Sequence, residues 1–562
     1  MTSTVLTRNY VVICSGEIAP RPNGYCRDMS VPSHAFGPTE IDLRDLTIGD
    51  LLREAVREVP EQVALIAGLP NPDDRRQWTY RELLLEAEAV ARALTTRFEP
   101  GERVALWAPN LPEWMVLEFA CAMAGVILVT VNPALQASEV EYVLNQSRSA
   151  GLIVATNHRG NPMRKIADEI APNCNELREI IAMEDVLELG QAADPEIELP
   201  EVGADDAVMI QYTSGTTGFP KGALLRNRAL VNNATHTADR MGVPEGGTWV
   251  CPMPLFHTGG CVVGVLSAVS KKCTFVLLEA FDPSLVLELI EEYKGSAMLA
   301  VPTMLISMLE HPEYPNRDIT SLEAVCSGGS TVPAPLVERI EKETGAAFTI
   351  VFGQTECSPV ASMTSPQDTT IDKTLTLGSP MPHTEVKIID PETGDIVPCG
   401  EPGEYLTRGY HVMMEYFDMP EATAAAIDDE GWLHTGDLCM MDERGYTRIE
   451  GRLKDMIIRG GENIYPREIE DVLFEHDSIA EVAVIGLPDE KWGETVAAVL
   501  RPAPGVTLQR QELFDYVRSS IAPHKTPRDW FVVDEFPLTG SGKIQKFKLQ
   551  KMSADGELSP LD

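Results

Sequence analysis

YTSGTTGFPKG, residues 212–222, packs four serine and threonine hydroxyls, three glycines and one lysine into a single short loop. The residues before it, Ala207-Val208-Met209-Ile210, are apolar and suited to a strand. Those after it, Ala223 through Ala234, read as an irregular or helical continuation. A strand therefore feeds a loop rich in hydroxyls and backbone N–H groups. Glycine there tolerates positive φ and lets the backbone approach a bulky anion. Successive N–H groups in such a turn make an anion-binding concavity. Thr213, Ser214, Thr216 and Thr217 add hydroxyl donors, Gly215 and Gly218 the freedom to turn, and Lys221 a point charge, with no carboxylate in the loop. The guest that suits this chemistry is a polyphosphate. The P-loop pattern G-x-x-x-x-G-K-[ST] is excluded, because Gly222 follows Lys221.

Upstream, the chain alternates helix and strand patterns. Residues up to about Glu40 contain Pro and Gly without a period and read as an irregular arm. LTIGDLLREAVREVP, ending at Pro60, puts Leu51, Leu52, Ala55 and Val56 on one helical face. Val63–Ile66 reads as a strand, the segment from Thr79 as an amphipathic helix, and Val104–Trp107 as a buried strand. EWMVLEFACAMAGVILVTVNP reads as a helix, a break at Gly125 and a strand. A helix then begins at Glu139–Leu144 and a strand covers Gly151–Val154, while Leu187–Ala204 reads as an acidic surface loop. Strands alternating with helices predict βαβ units and mainly parallel sheets. The tail beyond Asp477 reads as a compact α+β unit.

At 562 residues the chain is long enough for about three or four compact units. Its formal net charge of −39 excludes a nucleic-acid partner, since a phosphate backbone requires a basic face. Positive charge gathers most clearly near the end, at Lys525, Arg528, Lys543, Lys546, Lys548 and Lys551. Eleven scattered cysteines, with no C-x-x-C pair, suit reduced thiols in a cytoplasmic protein better than a disulfide framework. No signal peptide is evident, and no stretch reaches the ~18 apolar residues of a membrane span. Peripheral membrane contact and a homodimer both stay open.

SGTTGFPKG, residues 214–222, resembles the signature loop of the adenylate-forming superfamily, which comprises acyl-CoA synthetases, nonribosomal adenylation domains and luciferases. The resemblance runs over about residues 45 to 550, with the motifs in order. PLFH at 254–257, with Gly259, and Ala300-Val301-Pro302-Thr303 resemble acyl-pocket walls. Ser327-Gly328-Gly329-Ser330 resembles the segment bordering adenine, and its Gly328 joins His257, Gly259, Val301 and Thr303 as pocket candidates. Phe352-Gly353-Gln354-Thr355-Glu356 resembles the aromatic-Gly-x-Thr-Glu motif. It implies Phe352 stacked on adenine, Thr355 on the α-phosphate, and Glu356, with Thr213, at Mg²⁺. Phenylalanine stands where tyrosine is common, so stacking survives and a phenolic hydrogen bond is lost.

Trp432 through Asp437 resembles the ribose-binding motif, with Asp437 on the hydroxyls and Arg452 reaching ribose or phosphate. Lys454 corresponds to the hinge, which divides residues 41–453 from a mobile C-terminal domain, 454–562. Gly460, Gly461 and Glu462 correspond to the lining of the pantetheine tunnel, and Lys543 to the catalytic lysine. The fold class implied is α/β, with a large domain of βαβ subdomains and a small mobile α+β domain.

The resemblance implies an AMP-forming acyl-CoA ligase using ATP, Mg²⁺ and coenzyme A. The pocket candidates are small or apolar, which predicts a fatty or other hydrophobic carboxylic acid of roughly medium length. One methylene changes discrimination by only about 1–3 kcal/mol, so sequence does not fix chain length. Three alternatives differ in kind: an enzyme loading a carrier protein, a luciferase-type oxygenase, and a nucleotide-binding scaffold without turnover.

Overall fold

The computed structural model describes residues 31–213, 220–330, 332–460, 462–489, 491–538 and 544–561. Four sheets organise them. The first has seven strands, and its centre is parallel: Ala207–Tyr212, Ile127–Val131, Arg103–Trp107, Ser149–Val154 and Glu179–Ala182 lie side by side. Two antiparallel strands, Gly222–Arg226 and Glu415–Tyr416, close its edge beside Ala207–Tyr212. A second sheet of nine strands is also parallel inside, through Ala347–Gly353, Ala324–Gly328, Ala297–Leu299, Thr248–Cys251 and Thr274–Leu277. Strands buried on both faces read as continuous apolar runs, and Ile127–Val131 is buried at every position.

The helices that cover these sheets begin where their caps dictate. Thr47 caps Ile48–Glu58 in a reciprocal box with Asp50, and Thr79 caps Tyr80–Thr95 with Glu82. Together they bury one apolar core that includes Trp107, Trp114 and Trp249.

A third sheet departs from the parallel expectation. Its five strands, His34–Phe36, Thr384–Ile389, Pro402–Gly409, Leu433–Met441 and Thr447–Arg452, are all antiparallel. The end of the expected N-terminal arm is therefore part of a sheet: His34, Ala35 and Phe36 pair with Lys387, Val386 and Glu385. Residues 1–30 lie outside the described residues.

Two further expectations are corrected. The chain after the signature loop is neither irregular nor directly helical, because Gly222–Arg226 turns back as a strand before helix Asn227–Met241. The predicted acidic loop opens with a helix, Val186–Gln191, which packs on Tyr80–Thr95.

The last sheet belongs to the C-terminal part. Strands Ile479–Asp489 and Gly493–Pro502 pair antiparallel, and Asp529–Val532 lies parallel to the second after the crossover helix Arg510–Ser520. Two core clusters consist wholly of residues from Ile457 onward. Three of the cations expected to gather there are spent on carboxylates of the same region: Lys525 on Glu468, Arg528 on Asp489 and Lys546 on Glu470.

Candidate active site

The signature loop is the tip of a hairpin. Tyr212 faces Gly222 across the strand pair, and the Thr213 N–H donates to the Lys221 carbonyl at 2.9 Å. The Thr213 hydroxyl lies 3.4 Å from the same carbonyl. The Tyr142 hydroxyl donates to the Pro220 carbonyl at 3.0 Å, tying the hairpin to helix Ala137–Gln146. The neck of the loop is thus fixed at Thr213 and Lys221. Ser214, Gly215, Thr216, Thr217 and Gly218 lie outside the described residues.

Lys221 leads to a residue the sequence reading missed. Its ammonium lies over the Tyr416 ring, 4.5 Å from the centroid, a cation–π distance. Tyr416 sits on the edge strand paired with Gly222–Arg226, opposite Ala223. Its hydroxyl donates to Glu356 Oε1 at 2.6 Å. Burial, then the Glu356 charge, pushes the Tyr416 phenol well above its ordinary range, so it remains a donor at any working pH. Glu356 is 7% exposed, in a helical turn Thr355–Cys357 that follows strand Ala347–Gly353. Among the described residues, the Tyr416 bond to Oε1 is the one side-chain hydrogen bond that Glu356 makes, which leaves Oε2 open to a ligand.

That oxygen is a hard anionic ligand. No group of three metal-ligating side chains occurs among the described residues. One carboxylate with a free oxygen fits Mg²⁺, which binds through one or two carboxylates and completes its shell with water and substrate phosphate.

Phe352 closes the strand before this turn and meets Tyr405 edge-on, with centroids 5.0 Å apart. Tyr405 is buried; its hydroxyl pairs with Ser362 Oγ at 2.7 Å, and its carbonyl accepts from Thr435 at 2.6 Å. The aromatic motif and the ribose motif are therefore joined through one tyrosine. Gly353, Gln354 and Thr355 continue from Phe352, and the neighbouring strand ends at Gly328, which faces Val351 and is followed by Gly329 and Ser330.

The ribose motif is a strand with a kink. The pairing with Pro402–Gly409 shifts register between Glu404 and Leu406, where Thr435, Gly436 and Asp437 stand opposite Tyr405 and two extra residues must be accommodated. Gly436 takes φ +67 there, a conformation that favours glycine. Glu404, another residue the sequence reading missed, accepts from the Gly436 N–H at 3.1 Å and pairs with His434 Nδ1 at 2.9 Å. This bond to Glu404 raises the His434 pKa. The kink presents Asp437, which is 2% exposed, to Arg452 on the adjacent strand at 2.8 Å. The Asp437 charge holds the Arg452 pKa up, and the charges of Asp455 and Glu356 add to the effect.

The pocket candidates divide. His257 Nδ1 accepts from the Gly259 N–H at 3.0 Å, so its ring proton sits on Nε2. A Cβ added at Gly259 would meet His257 Nδ1 at 3.3 Å and Leu299 Cδ2 at 3.7 Å, which sets these three side by side. The helix continuing from them widens into a π-helical turn, Cys261–Leu266. Gly328 is buried and Val301 half-buried, but Thr303 is exposed on helix Pro302–Leu309. Gly460 and Glu462 flank a tight turn between Ile457–Arg459 and Glu462–Ile464, and both are exposed. Lys454 lies in the short turn Leu453–Asp455 that links the two sheets. Gly461 and Lys543 lie outside the described residues.

Residues 52–417 match the AMP-binding enzyme family, and residues 468–543 match the AMP-binding enzyme C-terminal domain. YngI of Bacillus subtilis (strain 168), which carries the name acyl-CoA synthetase, is 39% identical over 538 residues, covering 91% of this chain and 97% of that protein. The mitochondrial medium-chain acyl-CoA ligase ACSF2 of Rattus norvegicus is 34% identical over 553 residues, covering 92% and 89%. Among solved structures, o-succinylbenzoate CoA synthetase (MenE) from Bacillus subtilis, in complex with its acyl-adenylate intermediate OSB-AMP, superposes with a TM-score of 0.79 at 30% identity, covering 90% of this chain and 99% of that one. ATP-bound MatB from Rhodopseudomonas palustris gives a TM-score of 0.82 at 26% identity, covering 91% and 100%.

Proposed function

The chain belongs to the AMP-binding enzyme family and is an AMP-forming acyl-CoA ligase; from that premise we propose which residues carry the reaction and which acid it takes. A carboxylate oxygen of the acid attacks the α-phosphorus of ATP, an O–P bond forms, and the bond to the β-phosphate breaks to release pyrophosphate. The CoA sulfur then attacks the acyl carbon of the adenylate. A C–S bond forms, the bond between the acyl carbon and the oxygen bridging to phosphorus breaks, AMP leaves with that oxygen and the bond's electron pair, and the thiol proton passes to solvent.

Adenylation brings two anions together, so fixed positive charge where negative charge accumulates is the main requirement. Lys221 and Lys543 supply it, with the backbone of the signature loop and Thr355. Glu356 would hold Mg²⁺ through its free oxygen, with Thr213 as the further candidate ligand. When bound, the ion neutralises charge on the phosphate oxygens. Asp437 accepts from the ribose hydroxyls, with Arg452 beside it. Phe352 offers its face to adenine, and Gly329, Ser330, Gly353 and Gln354 border the ring. The small domain, residues 454–562, turns about Lys454 and exchanges Lys543 for the Gly460–Glu462 turn, a hinge exchange between two catalytic states.

The acid we propose is hydrophobic and of medium length. His257, Gly259, Val301 and Gly328 present no charge to its chain, and Thr303 is left out of the pocket. The name of the ACSF2 relative supports the same class. No helix among the described residues is long and apolar enough to cross a membrane. The nine described cysteines are free and eight of them are buried, which supports a reducing, cytoplasmic setting.

The observation that carries this reading is the linkage of Lys221, Tyr416 and Glu356, which sets a cation and a metal-binding carboxylate on one ring at the signature loop. The test is ATP-dependent pyrophosphate and AMP release across a panel of carboxylic acids, with and without CoA. Medium-chain acids should give the highest kcat/KM, and AMP release should require CoA. Release of AMP with no acyl-CoA formed, or preference for a charged short acid, would overturn it.

A further inference from the structure

Asn110 follows strand Arg103–Trp107 of the seven-stranded sheet, yet its side chain bonds across to the nine-stranded one. The amide nitrogen donates to the Met253 carbonyl at 2.9 Å and to the Leu278 carbonyl at 3.0 Å. Oδ1 accepts from the Leu255 N–H at 2.8 Å. Met253 and Leu255 follow strand Thr248–Cys251, and Leu278 follows strand Thr274–Leu277. Both donors and the carbonyl of the amide are thus engaged, and the two carbonyl partners fix which end is the nitrogen. The residue is buried, so each of these groups would be left unsatisfied without its partner.

The segment that Asn110 grips leads into the helix start bearing His257 and Gly259. A Cβ on Gly259 would lie 3.3 Å from both Met253 Cε and His257 Nδ1, so the Met253 side chain belongs to the same wall. The His257 N–H donates to the Pro254 carbonyl at 3.2 Å. A Cβ on Gly260 would collide with that carbonyl and lie 2.9 Å from Leu255 Cα, so the helix start is pressed directly on the gripped segment. Displacing Met253 or Leu255 therefore displaces His257 and Gly259. On the other side, Arg103–Trp107 pairs with Ile127–Val131, which pairs with Ala207–Tyr212, the strand that enters the signature loop. Asn110 spans from the sheet that carries the phosphate loop to the segment that walls the acid, at the strand ends where open α/β sheets place ligands.

We propose that Asn110 is a positioning residue for the acid, fixing the pocket wall at Met253, His257 and Gly259 relative to the phosphate loop. The inference rests on the reading above that His257 and Gly259 wall the acid pocket. Asn110 acts through the backbone of Met253, Leu255 and Leu278 rather than on the reacting atoms. The carboxylate and the α-phosphorus are held by different sheets, so their approach depends on how those sheets are joined. Reacting atoms must be held about 3–3.5 Å apart, and a misplacement of about 1 Å can cost on the order of a hundredfold in rate. The same grip sets the width of the pocket, and with it the discrimination between acids.

The experiment measures the ratio of kcat/KM between two carboxylic acids, the best substrate of the wild-type panel and the poorest it still turns over. That ratio does not depend on how much of a variant is folded. Asn110→Ser is too short to reach its partners. It should lower kcat/KM for the best acid by roughly 10- to 100-fold and leave KM for ATP unchanged. The ratio between the two acids should narrow by on the order of tenfold. Asn110→Asp keeps the bond from Leu255 and sets an oxygen against the Met253 and Leu278 carbonyls, so it should narrow the ratio at least as far. Gly259→Ala alters the pocket wall directly and should shift the same ratio with Asn110 intact. If it does, and both Asn110 variants keep the wild-type ratio, the inference is overturned and Asn110 only supports the fold. Equal rises in KM for ATP and for the acid would overturn it as well. A ratio unchanged in Gly259→Ala would overturn the pocket reading itself, and the inference with it.

Discussion

Tyr416 and Glu356 are joined by a 2.6 Å hydrogen bond from phenol to carboxylate, and the same tyrosine ring lies beneath the Lys221 ammonium. The bond fixes one Glu356 oxygen and leaves the other for a cation. Tyr416→Phe keeps the ring and removes only the donor. A hydrogen bond to a charged group contributes about 1.5–3 kcal/mol, or roughly 10- to 100-fold in rate where it acts in the transition state. We expect kcat for acid-dependent pyrophosphate release to fall within that range and the Mg²⁺ requirement to rise. Tyr416→Ala should in addition raise KM for ATP, because Lys221 loses its support. Unchanged Mg²⁺ dependence in Tyr416→Phe would detach the tyrosine from the metal.

The Asp437–Arg452 pair offers a second test. Asp437 is nearly inaccessible while Arg452 is partly open to solvent, so the partners are unequal. Arg452→Ala strands a buried carboxylate, and Asp437→Asn strands only a half-solvated cation. Allowing for screening of the exposed partner, we expect Arg452→Ala to cost about 1–3 kcal/mol in urea unfolding and Asp437→Asn less. Both should weaken AMP binding by calorimetry. A double mutant that simply adds the two losses would show that the pair does not act as a unit.

These elements show what a sequence gives up and what it holds back. Asp437 and Arg452 belong to separate motifs that the sequence singles out one by one, whereas their 2.8 Å pairing comes from the register of two strands. The helices that follow Thr47 and Thr79 were legible from their apolar spacing, which is complete within a few turns. Tyr416 and Glu404 were not. Their roles come from strand pairings, with Gly222–Arg226 in one case and Leu433–Met441 in the other, that no local pattern announces. The strand Gly222–Arg226 escaped likewise, because a short apolar run after a glycine loop suits a helix or a strand until its partner is known. His34–Phe36 pairs with residues far along the chain and carries no period of its own.

Glu118 gives a pH test. It is 1% exposed on helix Pro112–Met123, and among the described residues neither carboxylate oxygen has a hydrogen-bond partner. Burial pushes its pKa well above the ordinary carboxylate value. The native state then holds a proton that the unfolded state releases above about pH 4.3. Native stability from this group is complete below the unfolded pKa and declines as pH rises toward the folded one, by up to about 1.4 kcal/mol per pH unit. Glu118→Gln removes the titration and keeps the shape. Its Tm should match wild type near pH 4.5 and exceed it increasingly from pH 5.5 to 7.5. A constant Tm difference across that range would mean the carboxyl does not titrate between the two states.

Lys543 separates the two half-reactions. The proposed cycle uses its charge only while the α-phosphate is under attack, and the glycine turn takes its place when the thiol arrives. Removing one charge from a developing anion costs roughly two to three powers of ten in rate. Lys543→Ala should therefore lose acid-dependent pyrophosphate release by about that factor. It should still convert supplied acyl-adenylate and CoA to acyl-CoA and AMP at close to the wild-type rate, read by AMP release in rapid quench. Gly460→Ala should do the reverse, because a side chain there meets the Trp492 ring. If Lys543→Ala lost both half-reactions equally, the lysine would serve a structure common to both steps, and the exchange of groups about Lys454 would have no catalytic basis.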